Sequence, residues 1–357
     1  MTGTAPRERF LLLDGLRGAA ALAVITDHVP SALSNLLPGR YLAVDFFFAL
    51  SGFILAHVYG PRLAAGLTPA QFLRGRVIRL YPLYIAATLA GALLAAFKAV
   101  RGWPDIGLAH VAVSTLLNAV YLPVPQSLSV ANWGPFPFDG PAWSLFFELA
   151  VNIVFALIAL RLTTRVNAIL LAFAAGALVF TAFTFGKLDG GFAYENFWAG
   201  LPRVAYAFFA GVLVYRLRET WRMPALPPWA ALALLFAILA MPAGGILRPA
   251  WDAFAAIALM PLLIACCANS RVGGTAARAC ATAGALSYGF YVFQAVVIAW
   301  YDTLFASAAR SGLVRTAAIA GITLLVVILA RAFYEAPARR ALRFLPARVV
   351  ETEGASS

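Results

Sequence analysis

The sequence predicts an all-α, polytopic membrane protein with about ten transmembrane helices and both termini in the cytoplasm. Three observations lead there. Of the 357 residues, 62% are hydrophobic and 12% are charged, whereas a soluble domain has roughly 45–50% and 25%. Apolar runs of near-spanning length recur along the whole chain. Threading these runs through a bilayer gathers most Lys and Arg on one side, the signature of cytoplasmic loops.

The net charge of +12, from 27 basic and 15 acidic residues, would suggest nucleic acid in a soluble protein. Here cytoplasmic loop charge accounts for it, and no nucleic-acid partner is expected. Cys266, Cys267 and Cys280 lack a paired spacing and read as packing residues. No metal-ligand spacing, phosphate loop or nucleophile elbow occurs.

The expected spans lie near 10–29, 41–60, 75–97, 141–161, 166–185, 199–216, 228–244, 250–268, 285–306 and 314–334. Residues 1–350 read as one transmembrane domain, and 351–357 as a polar, disordered tail. Residues 98–140 are rich in Pro and Trp and read as an ordered surface loop with an interfacial helix over 107–121.

The first run carries Asp14, Arg17, Asp27 and His28. Ionisable groups in a spanning helix are costly and mark functional paths. Arg17 and His28, eleven residues apart, fall within about 20° of one another and roughly 16 Å apart along a helix. The N-terminus-inside orientation puts Arg17 in the inner half and His28 at the outer end.

In the second span Asp45 enters from the outer side and wants a partner, with His28 one candidate. Ser51-Gly52 interrupts that helix at mid-membrane, or else marks a close helix crossing. At the inner mouth of the third span stand Arg74, Arg76 and Arg79. Arg76 and Arg79 are three apart and share a face, which suits a phosphate; lipid headgroups or plain loop charge are the alternatives. The fourth span opens with Trp143 and Ser144, and Glu148 lies one turn on from Ser144. Glu148 can orient an imidazole, hold a sugar hydroxyl, or pair with a buried Arg such as Arg203. Glu335 beside Arg339 and Arg340 reads as an inner-surface ion pair, and His57 and His110 as incidental.

Together these place His28, Asp45 and Glu148 in the outer half and Arg17, Arg76 and Arg79 in the inner half. A long polyanionic molecule could enter from the cytoplasm with its phosphates on the arginines. Its reactive end would extend toward His28, whose unperturbed pKa near 6.5 suits proton abstraction from a hydroxyl.

The chain resembles the membrane-bound acyltransferase family 3, which includes bacterial O-acetyltransferases of surface glycans. The resemblance rests on Arg17 and His28 in the setting LDGLRG…H, on VDFFFALSGF from Val44 to Phe53, and on Arg76 and Arg79 before LYPLY. It also rests on Trp143, Ser144, Leu145 and Glu148, and it runs from about residue 10 to 340. The order of these motifs is specific where each alone is not.

The resemblance implies acetyl-CoA or another acyl-CoA as donor, a glycan or lipid-linked saccharide as acceptor, and a multi-pass place in the bacterial inner membrane. It implies His28 as catalytic base, with a transient acyl carrier as the alternative role, and Glu148 and Asp45 beside it. Arg17, Arg76 and Arg79 would hold the donor, and Trp143, Ser144, Ser51 and Arg203 the substrate. No metal is implied. Gln294 stands where the family often has a His. No esterase-like domain follows the tenth run, which implies transfer by the chain itself or hand-over to a partner protein. The competing reading is a proton-coupled transporter or flippase using the same buried His, Asp and Glu. Transporters show paired broken helices in inverted repeats, and no repeat is visible here.

Overall fold

The structure is a computed structural model that describes residues 8–29, 35–221, 223–305 and 312–344. The expected tail at 351–357 lies outside them. Among the described residues the secondary structure is helical throughout, with no strand.

A helix stands at each expected run. They are α1 (Leu11–His28), α2 (Ala43–Ala64), α3 (Pro69–Val100), α5 (Ala142–Ile158), α6 (Thr164–Phe185) and α7 (Gly200–Leu217). The order continues with α8 (Pro228–Ala240), α9 (Leu247–Ala268), α10 (Gly274–Leu304) and α11 (Gly312–Leu329). The interfacial helix expected over 107–121 is α4 (Leu108–Ala119). α11 passes through a π-helical turn, Ala330–Glu335, into a last stretch, Ala336–Phe344.

Seven helices are long and apolar enough to cross a membrane: α2, α3, α6, α7, α9, α10 and α11. α1 carries too many charges to qualify on composition. α8 has 13 residues, about 20 Å of helix against a hydrocarbon core of about 30 Å. It ends at Ala240 rather than 244, because Pro242 lies just beyond.

Local signals set the helix ends. Thr68 caps α3 with a capping box to Gln71, and Pro69 takes the first helical position. Thr163 caps α6, which closes on Gly186 at φ +72°.

α2 is the central helix, largely buried, whereas α6 and α11 turn most of their apolar surface outward. Large apolar side chains such as Phe173, Phe180 and Leu325 stand exposed there, as a lipid-facing surface requires.

Gly52 does not break α2, which runs unbroken from Ala43 to Ala64. It is instead the point where α2 crosses α7. A Cβ on Gly52 would lie 1.9 Å from the carbonyl oxygen of Phe208, and one on Gly211 would lie 1.9 Å from that of Ala49. Two hydrogens in place of side chains let the backbones touch. α1 packs on α10 in the same manner. Gly15 faces Cys280 and Gly18 faces Ala283, so the two helices run in the same direction.

Candidate active site

One cavity of about 390 Å³ lies between α2, α3, α5 and α10, and the partly exposed arginines at the end of α11 line its mouth. Arg17, Ser51, Arg76, Arg79, Ser144 and Glu148, all singled out from sequence, line it together. Along α2 the lining reaches from Leu55 to Val44, about 16 Å at helical rise.

Glu148 is the polar centre. Its Oε1 accepts from Arg76 Nη2 at 2.7 Å and from Ser51 Oγ at 2.8 Å. Three helices thus meet on one carboxylate. Arg76 is 5% exposed, and its Nε is buried without a hydrogen-bond partner among the described residues. Arg79, one turn on, lines the same wall, and its side chain makes no hydrogen bond to a described residue.

Arg17 joins from α1. It donates to Ser287 Oγ at 2.9 Å and to Gly284 O at 2.5 Å, with Asp14 at 3.2 Å. Gly284 is required there because a Cβ would strike Asp14. Deeper in, Ser144 Oγ and Tyr291 OH share a hydrogen bond of 2.8 Å.

At the mouth Glu335 is buried between Arg339, at 2.5 Å, and Arg331, at 3.8 Å. Five guanidiniums therefore line the cavity against two carboxylates. A low-dielectric space with that excess calls for an anionic guest. Five guanidiniums against two carboxylates suit a phosphorylated donor such as acyl-CoA.

The other expected site residues lie outside the lining. Asp45 is partnered not by His28 but by Arg203, and both are 1% exposed. Arg203 donates Nη2 and Nε to the carboxylate at 2.7 and 3.2 Å. It also donates to Tyr41 O at 3.0 Å and Gly190 O at 2.6 Å, and Trp143 lies under the guanidinium at 5.3 Å. Glu148 takes Arg76 rather than Arg203 or an imidazole. His28 ends α1, exposed, within electrostatic reach of Asp27, Asp189 and Arg40. It has no hydrogen-bond partner among the described residues and stands roughly 16 Å along α1 from Arg17.

Sequence reasoning missed several groups. Tyr288 and Tyr291, three apart, present one face of α10 to the cavity. Glu335 and Arg339 are cavity residues, not merely a surface pair. Tyr41 OH donates to Asp252 at 2.7 Å, and Arg248 Nε binds the same carboxylate at 2.8 Å. The spacing of Arg248 and Asp252, one turn apart in an apolar helix, was the available signal. Gln294 is fully buried and donates to Tyr291 O at 3.2 Å, outside the lining.

A family model described as an acyltransferase domain matches residues 10–332. The chain belongs to the acyltransferase 3 family. The protein is thus a membrane acyltransferase, and family membership gives no support to the transporter reading. Two relatives agree with this placement. Protein 2 in the picA locus of Rhizobium radiobacter is 42% identical over 192 residues, 50% of this chain and 98% of its own. The acyltransferase MdmB of Streptomyces mycarofaciens is 30% identical over 161 residues, 41% of this chain and 38% of its own. The chain therefore spans well under half of MdmB. No solved structure matches.

Proposed function

We propose that this acyltransferase takes an acyl group, acetyl in the simplest case, from acyl-CoA and passes it to a hydroxyl of a glycan or lipid-linked saccharide. The donor enters at the Arg331–Arg339 end, which the loop charges assign to the cytoplasm. The acceptor waits at the other face of a bacterial inner membrane, crossed by about ten helices with both termini inside. The observation that carries the reading is the cavity itself, lined by five guanidiniums against two carboxylates.

In this reading Arg17, Arg76 and Arg79 hold donor phosphates, and Glu148 with Ser51 fixes the Arg76 guanidinium. The thioester arm extends past Ser144 and Tyr291 toward the His28 end. His28 removes the proton of the acceptor hydroxyl, and the oxygen attacks the thioester carbonyl. The C–S bond breaks and CoA leaves as a thiolate. Asp45, Arg203 and Trp143 act at one remove, as the rigid layer beside this path.

The test is single-turnover release of CoA from labelled acetyl-CoA by purified protein supplied with a glycan acceptor. His28→Ala should retain donor binding and lose transfer. General-base help is typically about 10²–10⁴-fold, so wild-type turnover in His28→Ala would remove His28 from the chemistry.

A further inference from the structure

The cavity is charged at two levels. The inner level is Arg17, Arg76 and Arg79 around Glu148. The second level is built by the end of α11. Its π-helical turn, Ala330–Glu335, carries Glu335 into the cavity wall, where it is buried between Arg331 and Arg339. Such turns re-aim side chains and recur at functional sites.

Both mouth guanidiniums are braced against other helices. Arg339 Nη2 donates to the α3 carbonyl of Arg79 at 2.9 Å, and Arg331 Nη1 donates to the α10 carbonyl of Ala285. Yet Arg339 Nε is buried with no hydrogen-bond partner among the described residues. Two guanidiniums share one carboxylate, and a charged donor is left over. Glu335 balances only one of the two guanidinium charges, and a buried N–H is costly to leave unmet.

We propose that Arg331 and Arg339 form a second phosphate subsite, reading the ribose 3′-phosphate of the CoA donor while the inner arginines hold its diphosphate. The proposal rests on acyl-CoA being the donor. Coenzyme A carries phosphate at two separated places, and the cavity carries guanidiniums at two levels. The bond from Arg339 to Arg79 O puts those levels within one side chain's reach, so one ligand spans both. Guanidinium forks match a phosphate monoester. Glu335 keeps the two arginines aimed when no donor is bound. An acyl group on a carrier protein's phosphopantetheine lacks the nucleotide, so this subsite selects free acyl-CoA.

The experiment compares equilibrium binding of acetyl-CoA and acetyl-3′-dephospho-CoA to the purified full chain in detergent. Wild type should prefer acetyl-CoA by about tenfold or more, the worth of a charge-assisted contact. Arg339→Gln, and separately Arg331→Gln, should bring that ratio toward one by weakening acetyl-CoA binding more than binding of the dephospho donor. The ratio is read within each preparation, so partial misfolding does not imitate it. Equal weakening of both donors overturns the subsite. So does a ratio untouched by either variant, the outcome if these arginines hold a lipid headgroup phosphate. Should wild type bind acetyl-CoA without preferring it, the mouth subsite alone falls. Should it bind neither donor, the acyl-CoA reading falls with it.

Discussion

Two regions of this molecule bury arginine, and they do so differently. Around Asp45, each of the three Arg203 nitrogens, Nε, Nη1 and Nη2, donates to the carboxylate or to one of two carbonyls. Nearby, Asp252 accepts from Tyr41, Arg248 and the amide of Leu188. In the cavity, by contrast, the Nε groups of Arg76 and Arg339 are buried without partners. The first region is complete within the chain and ties α2, α7, α9 and the 186–193 loop together. The second holds five guanidiniums against two carboxylates and would be completed by the anionic donor proposed above. In the function proposed above, the donor site is marked by the cavity's excess of guanidiniums rather than by buried charge alone.

The largest effect is expected at Arg203. Arg203→Met would strand the Asp45 carboxylate and should cost about 3–5 kcal/mol of stability, read as a collapse of thermal unfolding temperature in detergent. Adding Asp45→Leu should recover most of the loss, since an apolar pair can replace a buried ion pair. Next, Gly211→Ala would push a methyl into the α2 backbone. Overpacking of this kind costs about 1–3 kcal/mol, and the same thermal measurement should show it.

Arg76→Gln acts on the other region. It should weaken acetyl-CoA binding about 10- to 100-fold, with a smaller thermal effect, because Ser51 still holds Glu148. Asp139, in the loop before α5, sharpens the contrast from a third side. Neither of its oxygens has a partner among the described residues, and burial holds its carboxyl well above the usual carboxylate range. The native chain therefore keeps a proton that the unfolded chain releases. Stability should fall as pH rises above the ordinary carboxylate range, by at most about 1.4 kcal/mol per pH unit. Asp139→Asn should flatten that slope in unfolding measured from pH 5 to 8. The smallest effect is expected at Lys187, whose pair with Asp189 is half exposed. Lys187→Ala should change stability by less than about 1 kcal/mol.

Much of this was legible in the sequence because membrane helices announce themselves by apolar length. The cavity's lining was legible for a related reason. Arg17, Ser51, Arg76, Arg79, Ser144 and Glu148 are polar groups in apolar runs, and helical spacing put Arg76 with Arg79 and Ser144 with Glu148. What spacing cannot give is the partner on another helix. Asp45 and Arg203 are 158 residues apart in the chain, and only the α2–α7 crossing at Gly52 and Gly211 brings them together. Glu335 looked like a surface residue because the mouth exists only once α11 folds back onto α3. The period that put His28 on the face of Arg17 likewise said nothing of how far the cavity reaches.

The most direct measurement is equilibrium binding of acetyl-CoA to the purified protein, with wild type beside Arg76→Gln and the Asp45→Leu/Arg203→Met double variant. Wild type should bind, Arg76→Gln should lose at least about tenfold, and the folded double variant should bind like wild type. Undiminished binding in Arg76→Gln, or its loss in a well-folded double variant, would contradict the division between completed and unspent charge.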